Sequence, residues 1–409
     1  SKSQVQYVLA LVGANKESLI QEIQFMRQSI GLAFEHGQDW HTPTGSYFTA
    51  KPLGKQGAVS FVYPGAFNAY PGLGRELFHL FPELDDHFTK LAKDPGRVLG
   101  AKFLYPPSLE ALSPQQVATT AANLMSNAPQ MIETGMSFAL LFTRVLQKYF
   151  QVQPQSAFGY SLGESAMMIS LGIWPVDPQQ SLRLHASPLF KDRLSGAKNA
   201  VREYWGIPPV TTPTTDEIWQ IYILNAPVEA VDTAVNANNR VYLTHINTPV
   251  EVVIAGFPPD CLKVIDTLGC DYVPAPFSYV LHCAPMRYEY QGFFTLNSLP
   301  VQQVPEIDLY FAADRGSEPL TRASIARLIT QGVCQPLDFP KLVRRVYDGG
   351  ARIFVELGPR STCSRWISQI LKGNPHAALA INHRNLDDRT SLIHMLARLA
   401  SQQVPLDLS

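Results

Sequence analysis

The stretch SAFGYSLGESAMMISLGIW, residues 156–174, decides how the rest of the chain is interpreted. A short apolar run leads into GYSLG at 159–163, a serine flanked by glycines, and then into a helix of small residues. The glycines permit a tight strand-to-helix turn that holds the serine exposed on a strained backbone. The amide of Leu162 would then face a developing oxyanion at the start of the helix. The pattern predicts Ser161 as a nucleophile, although short matches of this kind also arise by chance.

Length and charge limit the classes of function. With 409 residues and 46% hydrophobic content, the chain can build a large core with one or two inserted subdomains. The formal net charge of −1 offers no electrostatic footprint for nucleic acid or an anionic membrane. No apolar run reaches the roughly 18 residues of a membrane span, and the N-terminus lacks the layout of a secretory signal. We therefore expect a cytoplasmic protein.

The cysteines indicate neither a disulfide framework nor a zinc site. They are odd in number and none is spaced as C-x-x-C, so we expect buried thiols and no bound metal. The five are Cys261, Cys270, Cys283, Cys334 and Cys363.

The order of apolar runs predicts an α/β protein. A helix, a polar turn and a strand that ends at Ser161 follow the order of a parallel α/β sheet. Residues 211–274 instead read strand, helix, strand, strand, helix, strand, the βαββαβ order of a ferredoxin-like subdomain. This segment interrupts a main domain of 58–210 and 275–375. Residues 1–57 form an N-terminal αβ unit, and 376–409 form an ordered tail with one amphipathic helix.

One of the ten histidines stands apart. A lone histidine is more often structural than catalytic. His282, however, follows an apolar run, precedes the small-residue helix start CAPM, and lies beyond the predicted insertion, 121 residues after Ser161. It is the candidate partner of the serine.

Four motifs, in order, carry a resemblance over nearly the whole chain. They are GYSLGE at 159–164, INTPVEVVIAG at 246–256, YVLHCAPM at 279–286 and FVELGP at 354–359. With them the chain resembles the acyltransferase family that loads acyl groups onto acyl carrier proteins, as in malonyl-CoA:carrier-protein transacylases and polyketide synthase acyltransferase domains. The end segments are similar to the linkers that flank such domains in multidomain synthases. The resemblance implies an α/β-hydrolase-like core enclosing the acyl site with the inserted ferredoxin-like subdomain.

The resemblance also implies roles for individual residues. Ser161 would carry the acyl ester and His282 would act as general base. A backbone carbonyl, rather than a carboxylate, would orient the histidine, and QPLDF at 335–339 places it at Asp338 or a neighbour. The amides of Leu162 and Ala66 would form the oxyanion hole.

The expected substrate pocket combines matches and departures. Its expected members are Tyr160, Gln130, Pro188, Asn247, Tyr279 and Leu281, although turn chemistry explains the asparagine nearly as well. YPGAFNAYPG replaces the family's F-P-G-Q-G-S-Q around Ala66, and Tyr160 replaces a histidine. An amide donor needs no particular side chain, so the chemistry survives both changes.

A missing arginine is the most informative departure. Malonyl-type relatives carry an arginine after the serine that pairs with the substrate carboxylate. Matching SLRLHASPLF at 181–190 puts Pro188 there, or Ala186 or Leu189 after a shift. Arg183 or Arg193 reaching in from another turn is the alternative left open. Without a cation, burying a malonyl carboxylate costs several kcal/mol, so a neutral or longer acyl group is expected. The segments around the serine most resemble the acyltransferases of polyunsaturated fatty acid and heterocyst glycolipid synthases.

The expected reaction is a ping-pong transfer. An acyl-CoA would acylate Ser161, and the phosphopantetheine thiol of an acyl carrier protein would take the acyl group, with no metal or tightly bound cofactor. The expected partners are that carrier protein and other domains or subunits of a synthase. A thioesterase or acyl hydrolase is the first alternative, but α/β-hydrolases place an acid before the histidine in chain order. A catalytically weak docking module of a synthase is the second.

Overall fold

The strands form three sheets. A computed structural model describes residues 6–84, 89, 94–108, 112–211 and 217–408, and the remaining parts of the predicted units lie outside the described residues. The described strands are β1 (Leu9–Ala10), β2 (Trp40–His41), β3 (Tyr47–Phe48), β4 (Ala58–Tyr63), β5 (Ser156–Gly159), β6 (Gln220–Asn225), β7 (Val241–Ile246), β8 (Glu251–Gly256), β9 (Asp271–Pro274), β10 (Asp308–Tyr310), β11 (Leu337–Asp338), β12 (Ala351–Glu356) and β13 (Ala377–Ala380).

Helices cover the sheets and connect their strands. The described helices are α1 (Lys16–His36), α2 (Leu77–Leu80), α3 (Pro95–Leu99), α4 (Ala101–Leu104), α5 (Pro114–Met125), α6 (Ala128–Arg144), α7 (Gly163–Ser170), α8 (Pro178–Ala186), α9 (Asn199–Tyr204), α10 (Val228–Asn236), α11 (Pro258–Leu268), α12 (Tyr290–Asn297), α13 (Arg322–Val333), α14 (Phe339–Asp348), α15 (Thr362–Ile370) and α16 (Asp388–Ser401). A π-helical turn, Val145–Tyr149, extends α6, and 3₁₀ turns occupy Pro188–Phe190 and Ala284–Glu289.

The central sheet is parallel and buried on both faces. Its order is β10-β5-β4-β12-β13, and every neighbouring pair runs in the same direction. Its strands are nearly continuous apolar runs, as expected where helices cover both faces of a sheet. Because β4 and β5 are neighbours, with Tyr63 paired to Gly159, their following loops meet at one edge of the sheet. Ligands bind at such carboxyl ends in α/β proteins.

The second sheet contains the predicted βαββαβ order. Strands β6 to β9 are antiparallel neighbours in the order β7-β8-β6-β9, with α10 and α11 packed against them around Val231, Cys261 and Val264. A fifth strand, β11, pairs in parallel with β7. Because β11 lies in the predicted main-domain segment, residues 211–274 do not build this sheet alone.

The structure corrects the predicted boundary after residue 375. Ala377–Ala380, assigned from sequence to the C-terminal tail, is buried and pairs with β12 as an edge strand of the central sheet. The boundary cuts the sheet because a four-residue run of small apolar residues gives a weak strand signal. The predicted N-terminal αβ unit contains α1 and a small antiparallel sheet, β1-β3-β2. Helix α16 closes on it, and Ser401 Oγ accepts the amide of Thr49 at 2.9 Å.

The cysteines are free thiols, as the sequence predicts. Four of the five are buried, and Cys270 is partly buried. Within the ranges that the structure describes, no helix combines the length and apolar character needed to cross a bilayer.

Two motif glutamates are structural. Glu356 of FVELGP accepts the amides of Cys363 at 3.1 Å and Ser364 at 2.7 Å at the start of α15. Burial raises the pKa of Glu356 to about 7, and those amide hydrogen bonds oppose the rise. Glu164 of GYSLGE accepts the amide of Ala312 at 2.6 Å and is also fully buried. Burial raises its pKa to about 8. Each carboxyl satisfies buried backbone donors beside the site.

Removing the Glu356 carboxyl tests this structural role. We expect Glu356→Ala to lower the free energy of unfolding by about 3 kcal/mol at pH 8, because buried amides lose their acceptor. Urea unfolding followed by circular dichroism measures the change. The exposed Glu35→Ala on α1 is the control, expected to stay within about 0.5 kcal/mol of the parent. Equal effects of the two substitutions would contradict the assigned role.

Candidate active site

Ser161 lies on a sharp turn between β5 and α7. Its φ of +55° places a non-glycine residue in the left-handed region, a strained conformation typical of functional sites. The flanking glycines are required by close approach. A Cβ on Gly163 would lie 1.9 Å from the carbonyl oxygen of Tyr63, and one on Gly159 would lie 2.1 Å from the carbonyl carbon of Gly163. The predicted strand-to-helix turn is therefore present, pressed against the end of β4.

His282 contacts the serine directly. Its Nε2 lies 2.8 Å from Ser161 Oγ. Its Nδ1 lies 2.9 Å from the carbonyl oxygen of Gly332 and 3.3 Å from that of Gln335, and its amide donates to the carbonyl of Val333 at 2.8 Å. Carbonyl oxygens only accept, so Nδ1 carries the proton and Nε2 accepts the serine hydroxyl. The ring is set to take a proton from Ser161.

The expectation that Asp338 orients His282 is corrected. A backbone carbonyl does hold the ring, but it comes from Gly332 and Gln335. Carbonyls at the C-terminal end of a helix lack partners within it, which makes the end of α13 the natural source. Asp338 is committed elsewhere: it pairs with Ile246 in the second sheet, and its carboxylate accepts the amide of Lys341 at 2.9 Å.

Burial keeps His282 uncharged. The buried environment lowers the pKa of His282 to about 4, while its two carbonyl partners oppose this shift. The end of α13 also carries partial negative charge, which favours a transient imidazolium. A second histidine, His245, meets His282 edge to face at 4.5 Å between ring centroids. Burial, followed by the nearby His282, holds the pKa of His245 well below its ordinary value. Sequence reasoning missed His245, which no motif marks.

The predicted oxyanion donors lie beside the serine. Ala66 and Leu162 line the same cavity as Ser161. In the described part of the chain, neither amide donates a backbone hydrogen bond, so both are available to a ligand oxygen. The loop after β4 packs on the turn so closely that a Cβ on Gly65 would lie 2.9 Å from the ring of Tyr160.

An apolar cavity of about 290 Å³ extends from Ser161. Helices α6, α7 and α8 supply much of its wall, and Tyr279 and Leu281 line it as predicted. Apolar side chains dominate the lining, among them Ile132, Met136, Leu140, Ile169, Trp174 and Val333. Such a space suits a hydrocarbon chain attached to the serine.

Gln130 and Pro188 are corrected, since neither lines the cavity. The buried amide of Gln130 donates to the carbonyl of Arg97 at 3.0 Å, so it fixes α3 against α6. Ala128, two residues earlier, lines the cavity instead. Pro188 starts a 3₁₀ turn after α8 and is exposed at the surface.

Tyr160 and Asn247 are also corrected. The Tyr160 hydroxyl donates to Asn247 Oδ1 at 2.7 Å, and Asn247 Nδ2 donates to Glu251 Oε1 at 3.1 Å. Trp366 Nε1 donates to the same oxygen of Glu251 at 2.8 Å. Neither Tyr160 nor Asn247 lines the cavity. Adjacent side chains on the turn diverge, so Tyr160 ties the central sheet to the second sheet while Ser161 faces the cavity.

The arginines proposed from sequence do not line the cavity. Arg183 pairs with Asp177 at 2.9 Å at the surface. Arg193 pairs with Glu203 at 2.7 Å and also with Glu289. Ala186 and Leu189, the shifted matches, do not line the cavity either.

Arg97 does line the cavity, although no sequence motif marks it. Its Nη2 donates to Ser181 Oγ at 2.7 Å, and its Nη1 lies 3.8 Å from Glu133 Oε2. His185 Nε2 lies 2.8 Å from that same carboxylate oxygen. Over the described ranges, no group of three or more histidine, cysteine, aspartate or glutamate residues is arranged to hold a metal ion.

Comparison with known proteins supports the resemblance seen in the motifs. No family model matches the chain. It is 26% identical over 406 residues to one of the proteins that make up the polyunsaturated fatty acid synthase of Thraustochytrium sp., covering 95% of this chain and 19% of that protein. The chain thus spans about a fifth of that relative's length.

Solved structures share the fold. The acyltransferase domain from the second module of the salinomycin polyketide synthase matches with a TM-score of 0.70 and 17% identity, covering 98% of this chain and 84% of that one. A malonyl-transacylase solved with its type II polyketide synthase acyl carrier protein matches with a TM-score of 0.62 and 19% identity, covering 83% and 99%. The chain is therefore a relative of polyunsaturated fatty acid synthase proteins with the fold of acyltransferase domains.

Proposed function

We propose that the chain is an acyltransferase that moves an acyl group from acyl-CoA to the phosphopantetheine thiol of an acyl carrier protein. The observation that carries this proposal is the 2.8 Å contact between Ser161 Oγ and His282 Nε2 at an apolar cavity. The relatives support it, because they are parts of synthases of fatty acids and polyketides. Other domains of such a synthase are the expected neighbours.

In the first half-reaction, Ser161 becomes an ester. His282 Nε2 takes the hydroxyl proton as Oγ attacks the thioester carbonyl carbon. The amides of Leu162 and Ala66 stabilise the negative oxygen of the tetrahedral intermediate. The carbonyls of Gly332, in the last turn of α13, and of Gln335, two residues after the helix, stabilise the imidazolium. As the carbon–sulfur bond breaks, His282 gives the proton to the departing CoA sulfur.

In the second half-reaction, the same groups work in reverse. His282 takes the proton of the phosphopantetheine thiol, whose sulfur attacks the ester carbonyl. Ser161 leaves and recovers its proton, and the carrier protein departs with the acyl group. These steps use acyl-CoA and phosphopantetheine as substrates and call for no bound metal or cofactor.

We also propose that the acyl group is uncharged rather than malonyl. The cavity is mostly apolar. The residues matched to the family's arginine are Pro188, Ala186 or Leu189, which carry no charge and do not line the cavity. As the setting of this reaction we propose a polyunsaturated fatty acid synthase or a heterocyst glycolipid synthase, and the relative from a polyunsaturated fatty acid synthase supports the first of these.

For the fold, we assign the central sheet and its helices to an α/β-hydrolase-like core and β6–β9 to a ferredoxin-like subdomain, which the strand order supports.

Loading of the serine tests the proposal. After incubation with acetyl-, octanoyl- and malonyl-CoA, intact-mass analysis should detect one acyl adduct, absent in Ser161→Ala. His282→Ala should slow its formation at least about a hundredfold, because the general base is lost. Carrier protein should accelerate CoA release. Rapid CoA release at a rate that does not depend on carrier protein would instead indicate a hydrolase. The absence of an adduct with every donor would indicate a docking module.

The pH dependence of acylation tests the environment of His282. A protonated Nε2 cannot accept the serine proton, so activity falls below the pKa of His282. Because burial lowers that pKa to about 4, we expect the acylation rate to change less than about twofold between pH 8 and pH 6. Rapid-quench intact-mass kinetics measure the rate, and circular dichroism checks folding at each pH. A half-maximal rate near pH 6.5 would contradict the stated environment.

A further inference from the structure

A buried carboxylate lies in the wall of the apolar cavity. Glu133 is on α6, and its side chain is only 4% exposed. Its Oε2 accepts from His185 Nε2 at 2.8 Å on α8. Its Oε1 has no hydrogen-bond partner among the described residues. Buried polar atoms are normally partnered, so this arrangement is not optimised for stability alone.

Glu133 engages the cation of the cavity. Arg97 Nη1, on α3, lies 3.8 Å from Glu133 Oε2, while Nη2 donates to Ser181 on α8. Among the lining residues that the structure describes, Arg97 is the only lysine or arginine, whereas Asp94, Glu133 and Asp177 are acidic. The charges around the cavity therefore do not favour a further carboxylate.

We propose that Glu133 determines which acyl groups Ser161 accepts, by holding Arg97 and so excluding acyl chains that end in a carboxylate. This inference rests on the proposed acyltransferase function. A carboxylated acyl group would need Arg97 as its partner and would have to displace Glu133. Displacement leaves the buried carboxylate of Glu133 with the hydrogen bond from His185 but without its cation, which is unfavourable. An uncharged chain leaves the pair intact and packs on the apolar wall.

Substitution of Glu133 tests the proposal through a gain of reactivity. In Glu133→Gln the amide still accepts from His185, but the negative charge is removed and Arg97 is released. With malonyl-CoA and octanoyl-CoA supplied separately, intact-mass kinetics give the ratio of their acylation rates at Ser161. We expect the malonyl-to-octanoyl ratio to rise at least about tenfold over the parent chain.

Two further variants identify the cause. Adding Arg97→Met to Glu133→Gln should return the ratio to within about threefold of the parent value, because the released cation is gone. Glu289→Gln is the matched control. Glu289 is also a mostly buried partner of an arginine, Arg193, but it does not line the cavity, so the ratio should stay unchanged.

The outcomes separate this inference from the proposed function. If octanoyl loading persists in Glu133→Gln and the malonyl-to-octanoyl ratio is unchanged, the role of Glu133 is overturned but the proposed function is not. A parent chain that prefers malonyl-CoA and loses that preference in Arg97→Met also overturns it, because Arg97 would then be free to bind substrate. If circular dichroism shows that Glu133→Gln does not fold, the proposal is tested by comparing the malonyl-to-octanoyl ratio of the parent chain with that of Arg97→Met. If no acyl adduct forms on the parent chain, both the proposed function and this inference are overturned.

Discussion

The hydrogen bond between Ser161 and His282 depends on how closely the backbones around it approach one another. The parallel pairing of β4 and β5 brings the two loops together, and the absence of a side chain at Gly163 lets the turn press on the carbonyl of Tyr63. On the opposite side, the end of α13 holds His282 through its amide and Nδ1. The central sheet thus positions the nucleophile, and one helix end positions the base.

The polar groups near the site divide into two kinds. The buried carboxyls of Glu164 and Glu356 satisfy backbone amides and do not face the reaction. His282 is oriented by carbonyl oxygens, which fix its tautomer without placing a full negative charge beside it. With so little charge beside the dyad, the acidic and basic groups at the wall near α8 have a larger influence on which acyl group enters.

The sequence predicted the site well where a motif fixes the local backbone. The residues it brought to the cavity or the dyad are Ser161, His282, Leu162, Ala66, Tyr279 and Leu281. Its errors have two physical causes. The orienting carbonyl depends on where α13 ends, which a motif at 335–339 locates only to within a few residues. Tyr160 and Asn247 contact each other across two sheets, while Arg97 and Glu133 meet between helices. Such tertiary contacts leave no periodic signal in a single sequence. The order of apolar runs predicted the fold class, but it did not predict the short strands β11 and β13.

The left-handed backbone at both members of the dyad has an evolutionary consequence. Ser161 has φ +55° and His282 has φ +56°, a region that costs a non-glycine residue roughly 1–2 kcal/mol. Glycine avoids that cost and gives up only about 0.4–1 kcal/mol through its freer unfolded chain. At the partly buried Ser161, a mutation to glycine that relieves backbone strain would therefore also remove the nucleophile, so selection for stability and selection for reactivity oppose each other there. At His282 the buried ring offsets its own backbone strain, because glycine would leave a cavity and would leave the carbonyls of Gly332 and Gln335 without their donor.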